Sequence, residues 1–150
     1  MVLGDVFPAA LKMQHAQDNL APGSIIKLHS DIPTPAKEKF FIIAYEQEGM
    51  LAFIINTEAS QFIQSRPHLL DAQVDILEAE HPTVLKYDSV IDCSKLVIID
   101  TADAVQQVCT DMGRLHGPCS SNVKTAILDA VNRAPMYSDA EKKRLSDALS

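Results

Sequence analysis

Two apolar runs, Phe40-Phe41-Ile42-Ile43-Ala44-Tyr45 and Met50-Leu51-Ala52-Phe53-Ile54-Ile55, stand on either side of Glu46-Gln47-Glu48-Gly49. Nothing else in the chain restricts its fold as strongly. A connection this short joins antiparallel neighbours and is far too short for a parallel crossover. Neither run alternates apolar with polar, so both faces of the hairpin must be covered. The sheet built on this hairpin therefore lies inside a folded unit, with a core on one side and a further layer on the other.

The remaining elements fit around that hairpin. Residues 1–21 read as an N-terminal helix, with Pro8 in its first turn and Ala21-Pro22-Gly23-Ser24 closing it. Ser24 to His29 is a short strand, and Asp31 to Lys39, with Pro33 and Pro35, is expected to be a loop. Further strands are expected at Ala72 to Ala79, Ser89 to Asp92 and Leu96 to Ile99, with breaks at Ser65-Arg66-Pro67-His68 and His81-Pro82. Several closely spaced short strands favour a compact barrel over 22–100. From 101 onward the period changes to helical. A helix is expected from Thr101 to Thr110 with Asp100 or Thr101 as N-cap, then turns at Gly113 and Gly117-Pro118. Next come a helix capped by Ser120 or Ser121 and a last one opened by the capping box Ser138-Asp139-Ala140-Glu141. The 150 residues make one α+β, mainly β domain, a small barrel with an N-terminal helix and a helical C-terminal part over 101–150. An open antiparallel sheet is the alternative architecture.

Composition excludes several classes. Twenty acidic against thirteen basic residues give a formal charge of -7, which argues against a surface-wide polyanion field. No apolar run approaches the ~20 residues that span a bilayer, so no membrane association is expected. Cys93, Cys109 and Cys119 form no disulfide framework, and a cytoplasmic location is expected. The chain has five glycines and no Gly-rich phosphate loop, no G-x-S-x-G and no H-E-x-x-H. His116-Gly117-Pro118-Cys119 supplies at most half of a zinc site, and lone cysteines more often act as small core hydrophobes, so no metal is assigned.

Chemistry concentrates after the hairpin's second strand. From Asn56-Thr57-Glu58 to Ser65-Arg66-Pro67-His68 the chain collects amide, hydroxyl, guanidinium and imidazole groups. Arg66 can pin a phosphate through its forked donors, and Thr57 can hydrogen-bond one. The bland alternative is that Asn56 and Thr57 end the strand while Arg66 pairs with Glu58 or Asp71. Lys27, Lys37 and Lys39 fall on or beside the loops flanking the hairpin. With Arg66 they would make a local basic groove on an acidic protein.

At Gly23-Ser24-Ile25-Ile26-Lys27-Leu28 the chain resembles the MazF/PemK (Kid-like) endoribonucleases of toxin–antitoxin systems, whose SH3-like barrel opens with a Gly-Asp-Ile/Val-Val strand. The resemblance continues through the apolar hairpin ending in Asn56-Thr57. Ser89-Val90-Ile91-Asp92-Cys93-Ser94-Lys95-Leu96 is similar to the family's Val-Asp-Gln-Ile strand. Met112-Gly113-Arg114-Leu115 and the helix that follows are similar to its ending. The likeness covers about residues 22–131. It implies an SH3-like (PemK-like) barrel and metal-independent cleavage of single-stranded RNA, with the 2′-hydroxyl as nucleophile and no cofactor. Thr57 and Arg66 would be the catalytic residues, and Lys27, Lys37, Lys39 and Asn56 would contact nucleic acid. The family's Arg-Pro at the start of the second barrel strand is absent, because Lys39-Phe40-Phe41 stands there. Arg66 or a lysine, Lys37 or Lys39, would have to replace that arginine.

The resemblance also implies an antitoxin or other protein partner and a homodimer. Met50 to Ile55 carries more apolar surface than one small barrel interior needs, which agrees with an isologous dimer. The terminal helices covering that face within one chain is the competing arrangement. A catalytically inactive barrel that binds a protein partner is the alternative function.

Overall fold

In a computed structural model, residues 9–30 and 37–150 are described. The expectations for 1–8 and 31–36, including Pro8, Pro33 and Pro35, lie outside these residues. A helix α1 (Ala9–Asn19) leads into β1 (Ser24–Ser30), β2 (Lys37–Glu46) and β3 (Met50–Asn56). Two single helical turns follow, α2 (Gln61–Gln64) and α3 (Pro67–Leu70), then β4 (Gln73–Ile76) and β5 (Ser89–Ile99). The chain closes with α4 (Thr101–Thr110), a 3-10 turn at Met112–Arg114, β6 (Leu115–Pro118), α5 (Ser121–Arg133) and α6 (Asp139–Leu149).

The strands form one curled, six-stranded antiparallel sheet in the order β4-β5-β3-β2-β1-β6. The hairpin is its centre, with Ile42 opposite Phe53 and Phe40 opposite Ile55. Its turn relies on Glu48 and Gly49 at positive φ, 50° and 127°, so the glycine supplies the more extreme angle. Both hairpin faces are covered, as the unbroken apolar runs require. Ile25, Ile42, Ala44, Phe53 and Ile55 face α5 and α6, meeting Val123, Ile127, Leu145 and Leu149. Ile26, Phe41, Ile43, Met50, Ala52 and Ile54 face Ala104 of α4. Helix α1 then packs on α4 through Ala16, Val105 and Val108. Within Met50 to Ile55, every side chain except the half-buried Leu51 is buried within one chain.

Several local outcomes differ from the sequence reading. Lys37, Glu38 and Lys39 extend β2 rather than the preceding loop, pairing with Ser30, His29 and Leu28. The strand expected from Ala72 stops at Ile76, because residues 77–81 turn back on themselves and Asp88 accepts from the Glu78 amide at 2.8 Å. The two strands expected between Ser89 and Ile99 are one, interrupted by a wide bulge: Ile54 opposes Asp92, yet Ala52 opposes Val97. The buried Asp92 accepts from Ser94 N–H and Gln73 Nε2, and the buried Tyr137 hydroxyl donates to the Cys93 carbonyl at 2.7 Å. Those bonds satisfy polar groups that the irregular ladder leaves over.

The C-terminal caps follow their sequence signals. Asp100 caps α4, Ser120 caps α5, and Ser138 with Glu141 forms the reciprocal capping box of α6. Gly117, expected in a turn, sits at φ +82° within β6. Among the described residues, no helix is long and apolar enough to cross a membrane.

Candidate functional site

The antiparallel register sets one end of the hairpin apart. At that end a row of residues crosses the sheet on the face that carries α5 and α6: Lys27 on β1 opposes Phe40 on β2, which opposes Ile55 on β3. The helices do not close over this end. An open cleft of about 500 Å³ remains, lined by Lys27, Glu38, Lys39, Phe40, Ile55, Asn56, Thr57, His116 and the loop residues Thr83 to Tyr87 and Ser89. That loop is anchored from below by Leu85 in the core and by the buried His81, whose Nε2 accepts from the Ser120 amide at 3.3 Å.

Four of the six residues singled out in the sequence meet here: Lys27, Lys39, Asn56 and Thr57. Lys39 Nζ donates to Asn56 Oδ1 at 2.9 Å, which fixes the ammonium at the rim and leaves two of its protons free. Burial, and then the charge of Lys37, hold the Lys39 ammonium below its usual range. Lys27 Nζ lies 5.5 Å from the Phe40 ring centroid, a cation–π arrangement. Thr57 is exposed, one residue beyond β3.

Lys37 and Arg66 do not line the cleft. Lys37 opens β2 opposite Ser30 and is exposed. Arg66 precedes α3 and is engaged locally: Nη1 donates to the Phe62 carbonyl at 2.9 Å, and the guanidinium carbon lies 3.5 Å from the Phe62 ring centroid. Neither carboxylate proposed for it takes part in an ion pair with it; Asp71 instead meets Arg133 at 3.4 Å.

Other residues at the cleft were not assigned to it from the sequence, His116 among them. His116 lies edge-on to Phe40, with ring centroids 5.3 Å apart and planes at 67°. Its Nε2 is buried without a hydrogen-bond partner. Desolvation, reinforced by Lys27, pushes the imidazole below its ordinary value, and Asp111 offsets this in part. Cys119, its partner in the half zinc motif, belongs to the core beside α5, where burial pushes its thiol up. Arg114 forks onto Glu38 at 2.7 and 3.0 Å and also donates to the Lys27 carbonyl at 3.0 Å. The hydrogen bond from Arg114 holds the Glu38 carboxyl below its usual range. The only cleft carboxylate among the lining residues is therefore already neutralised, while Lys27, Lys39 and Lys86 stay available.

Charge separates along the hairpin. Glu46 and Glu48 stand at the turn with Asp100 nearby, at the end remote from Lys39 and Thr57. Seven residues of β3 put about 20 Å between the two ends. Compared with known proteins, the chain matches no family model and no curated sequence.

Proposed function

We propose that this cleft binds the sugar–phosphate backbone of single-stranded RNA and that the chain is an SH3-like-barrel protein of the MazF/PemK kind, a metal-independent endoribonuclease. The observation that carries the reading is the convergence of Lys27, Lys39, Lys86, Asn56 and Thr57 in one cleft on a chain of net charge -7. Lysines and a hydroxyl supply donors for phosphate oxygens, and Tyr87, 67% exposed, offers a face on which a base can stack. In cleavage, the 2′-hydroxyl gives its proton to water as its oxygen attacks the adjacent phosphorus, a 2′,3′-cyclic phosphate forms, and the 5′-oxygen leaves and takes a proton from water. Thr57 and Lys39 donate to the phosphate oxygens as charge accumulates there. Lys39 takes the part of the family's arginine, since Arg66 lies outside the lining and is engaged with Phe62. An antitoxin-like partner and a homodimer belong to the same reading.

The test is incubation of the purified chain with single-stranded RNA. Cleavage that persists in EDTA and falls by about 10²-fold in Thr57→Ala supports the reading, as expected for loss of one transition-state donor. Intact, unbound RNA at high protein concentration removes it. A second reading, a non-catalytic module for a protein partner, is favoured by Ile98. This side chain is 67% exposed on β5, opposite Leu51, which in turn opposes Tyr45.

A further inference from the structure

His116, the imidazole of the His116-Gly117-Pro118-Cys119 turn, stands in the cleft wall beside Lys27 and Phe40. Its Nε2 has lost water and gained no partner, which is costly for a polar atom. The groups around it are set on three sides. Lys27 faces it from β1, Glu38 and Lys39 belong to β2, and Asp111 and Arg114 lie on the segment entering β6. Lys86 and Tyr87 line the same cleft from the loop before β5. Glu38 is held by Arg114, and Asp111 offsets only part of what burial and Lys27 do to the imidazole. The empty cleft thus opposes protonation of His116. An anion among the three lysines reverses that field and favours the imidazolium.

Building on the RNA reading above, we propose that His116 is a ligand for the bound phosphate group and takes up a proton as that group enters. The imidazole is neutral in the free protein and becomes a charged donor in the complex. Binding therefore tightens as pH falls through the neutral range. For one linked proton, the gain is at most about tenfold per pH unit. The proton comes from solvent, and no covalent bond changes. The coupling makes the cleft a phosphate site rather than a general lysine-lined surface, because a neutral ligand gives the imidazole no reason to charge.

The experiment is calorimetric titration of the full chain with a 2′-O-methyl oligoribonucleotide, which lacks the attacking hydroxyl and stays intact. It is run near pH 7 in two buffers of different ionisation enthalpy, with inorganic phosphate as a parallel titrant. The expected result is a net uptake of at most about one proton per site, together with an upward shift of the His116 imidazole midpoint in NMR titrations when the oligonucleotide is added. In His116→Gln the uptake disappears and affinity becomes independent of pH, while binding at about pH 8 is kept. Oligonucleotide binding without uptake overturns the role of His116 and leaves the RNA reading standing. Uptake driven by inorganic phosphate and abolished in His116→Gln, with no oligonucleotide binding, supports His116 and removes the RNA reading. Binding of neither ligand overturns both.

Discussion

On the RNA reading proposed above, the salt dependence of binding follows from the number of cations in the cleft. Lys27, Lys39 and Lys86 line it, and the one carboxylate among its lining, Glu38, is occupied by Arg114. For single strands each neutralised phosphate contributes about -0.7 to the slope of log K against log salt, so three contacts give about -2. Between about 50 and 200 mM salt the affinity then falls roughly twentyfold. Lys39→Gln removes one contact, so the slope drops to about -1.4 and the loss over the same range to about sevenfold. Glu48→Gln, at the far end of the hairpin, adds one unit of charge to the whole chain. It lies about 20 Å from Lys39, beyond a Debye length of about 8 Å at physiological ionic strength, and leaves the slope unchanged. Fluorescence anisotropy with a labelled oligoribonucleotide at about pH 8, where the imidazole is neutral, gives all three slopes. A wild-type slope near zero, or equal slopes for Lys39→Gln and wild type, would refute the cleft as the phosphate site.

Other outcomes follow from individual contacts. Glu38→Gln breaks the fork from Arg114, whose partners are part-exposed, and lowers stability at neutral pH by at most about 1 kcal/mol. Because the folded carboxyl lies below its ordinary 4.5, the stabilisation is full above that value and is lost as pH falls through the lowered midpoint. Acid denaturation curves of wild type and variant should therefore approach one another below the ordinary carboxylate value and converge once pH has passed the lowered midpoint. Gly23→Ala forces an L-residue to φ +86° and sets its Cβ 2.7 Å from Lys124 Cε. The lysine stem can move but the backbone cannot, so a loss of about 1–2 kcal/mol is expected in urea unfolding.

The fold was most legible where local and tertiary demands coincide. The Phe40 to Ile55 hairpin announces itself because two unbroken apolar runs need cover on both faces, and α4 on one side with α5 and α6 on the other provide it. The caps at Asp100, Ser120 and Ser138 were legible because each satisfies amides within three residues of itself. Legibility failed where distant partners complete an element. Lys37 to Lys39 look like loop, yet β1 supplies their ladder and Arg114, 76 residues away, holds Glu38. Ser89 to Ile99 looks like two strands because its middle, Cys93 to Leu96, bulges. Gln73 and Tyr137 bond to that bulge from β4 and the α5–α6 connection.

The same division explains the candidate site. Asn56 and Thr57 were visible because they follow a buried strand directly, and Lys27 and Lys39 because they flank the same hairpin. Arg66 carried an equally strong local signal, but Phe62, four residues earlier, offers its carbonyl and ring face at 2.9 and 3.5 Å. An arginine with so near a partner in its own turn has little reason to reach across to Thr57. His116 shows the opposite case. In sequence it stands 59 positions beyond Thr57 in a four-residue strand with no apolar alternation. It enters the cleft only because β6 pairs with β1 at Leu115 and Ile26, which sets the imidazole beside Phe40. The pairing of edge strand β6 therefore decides what kind of cleft this is: without it the wall holds lysines alone, and with it the wall gains a group whose charge depends on what is bound.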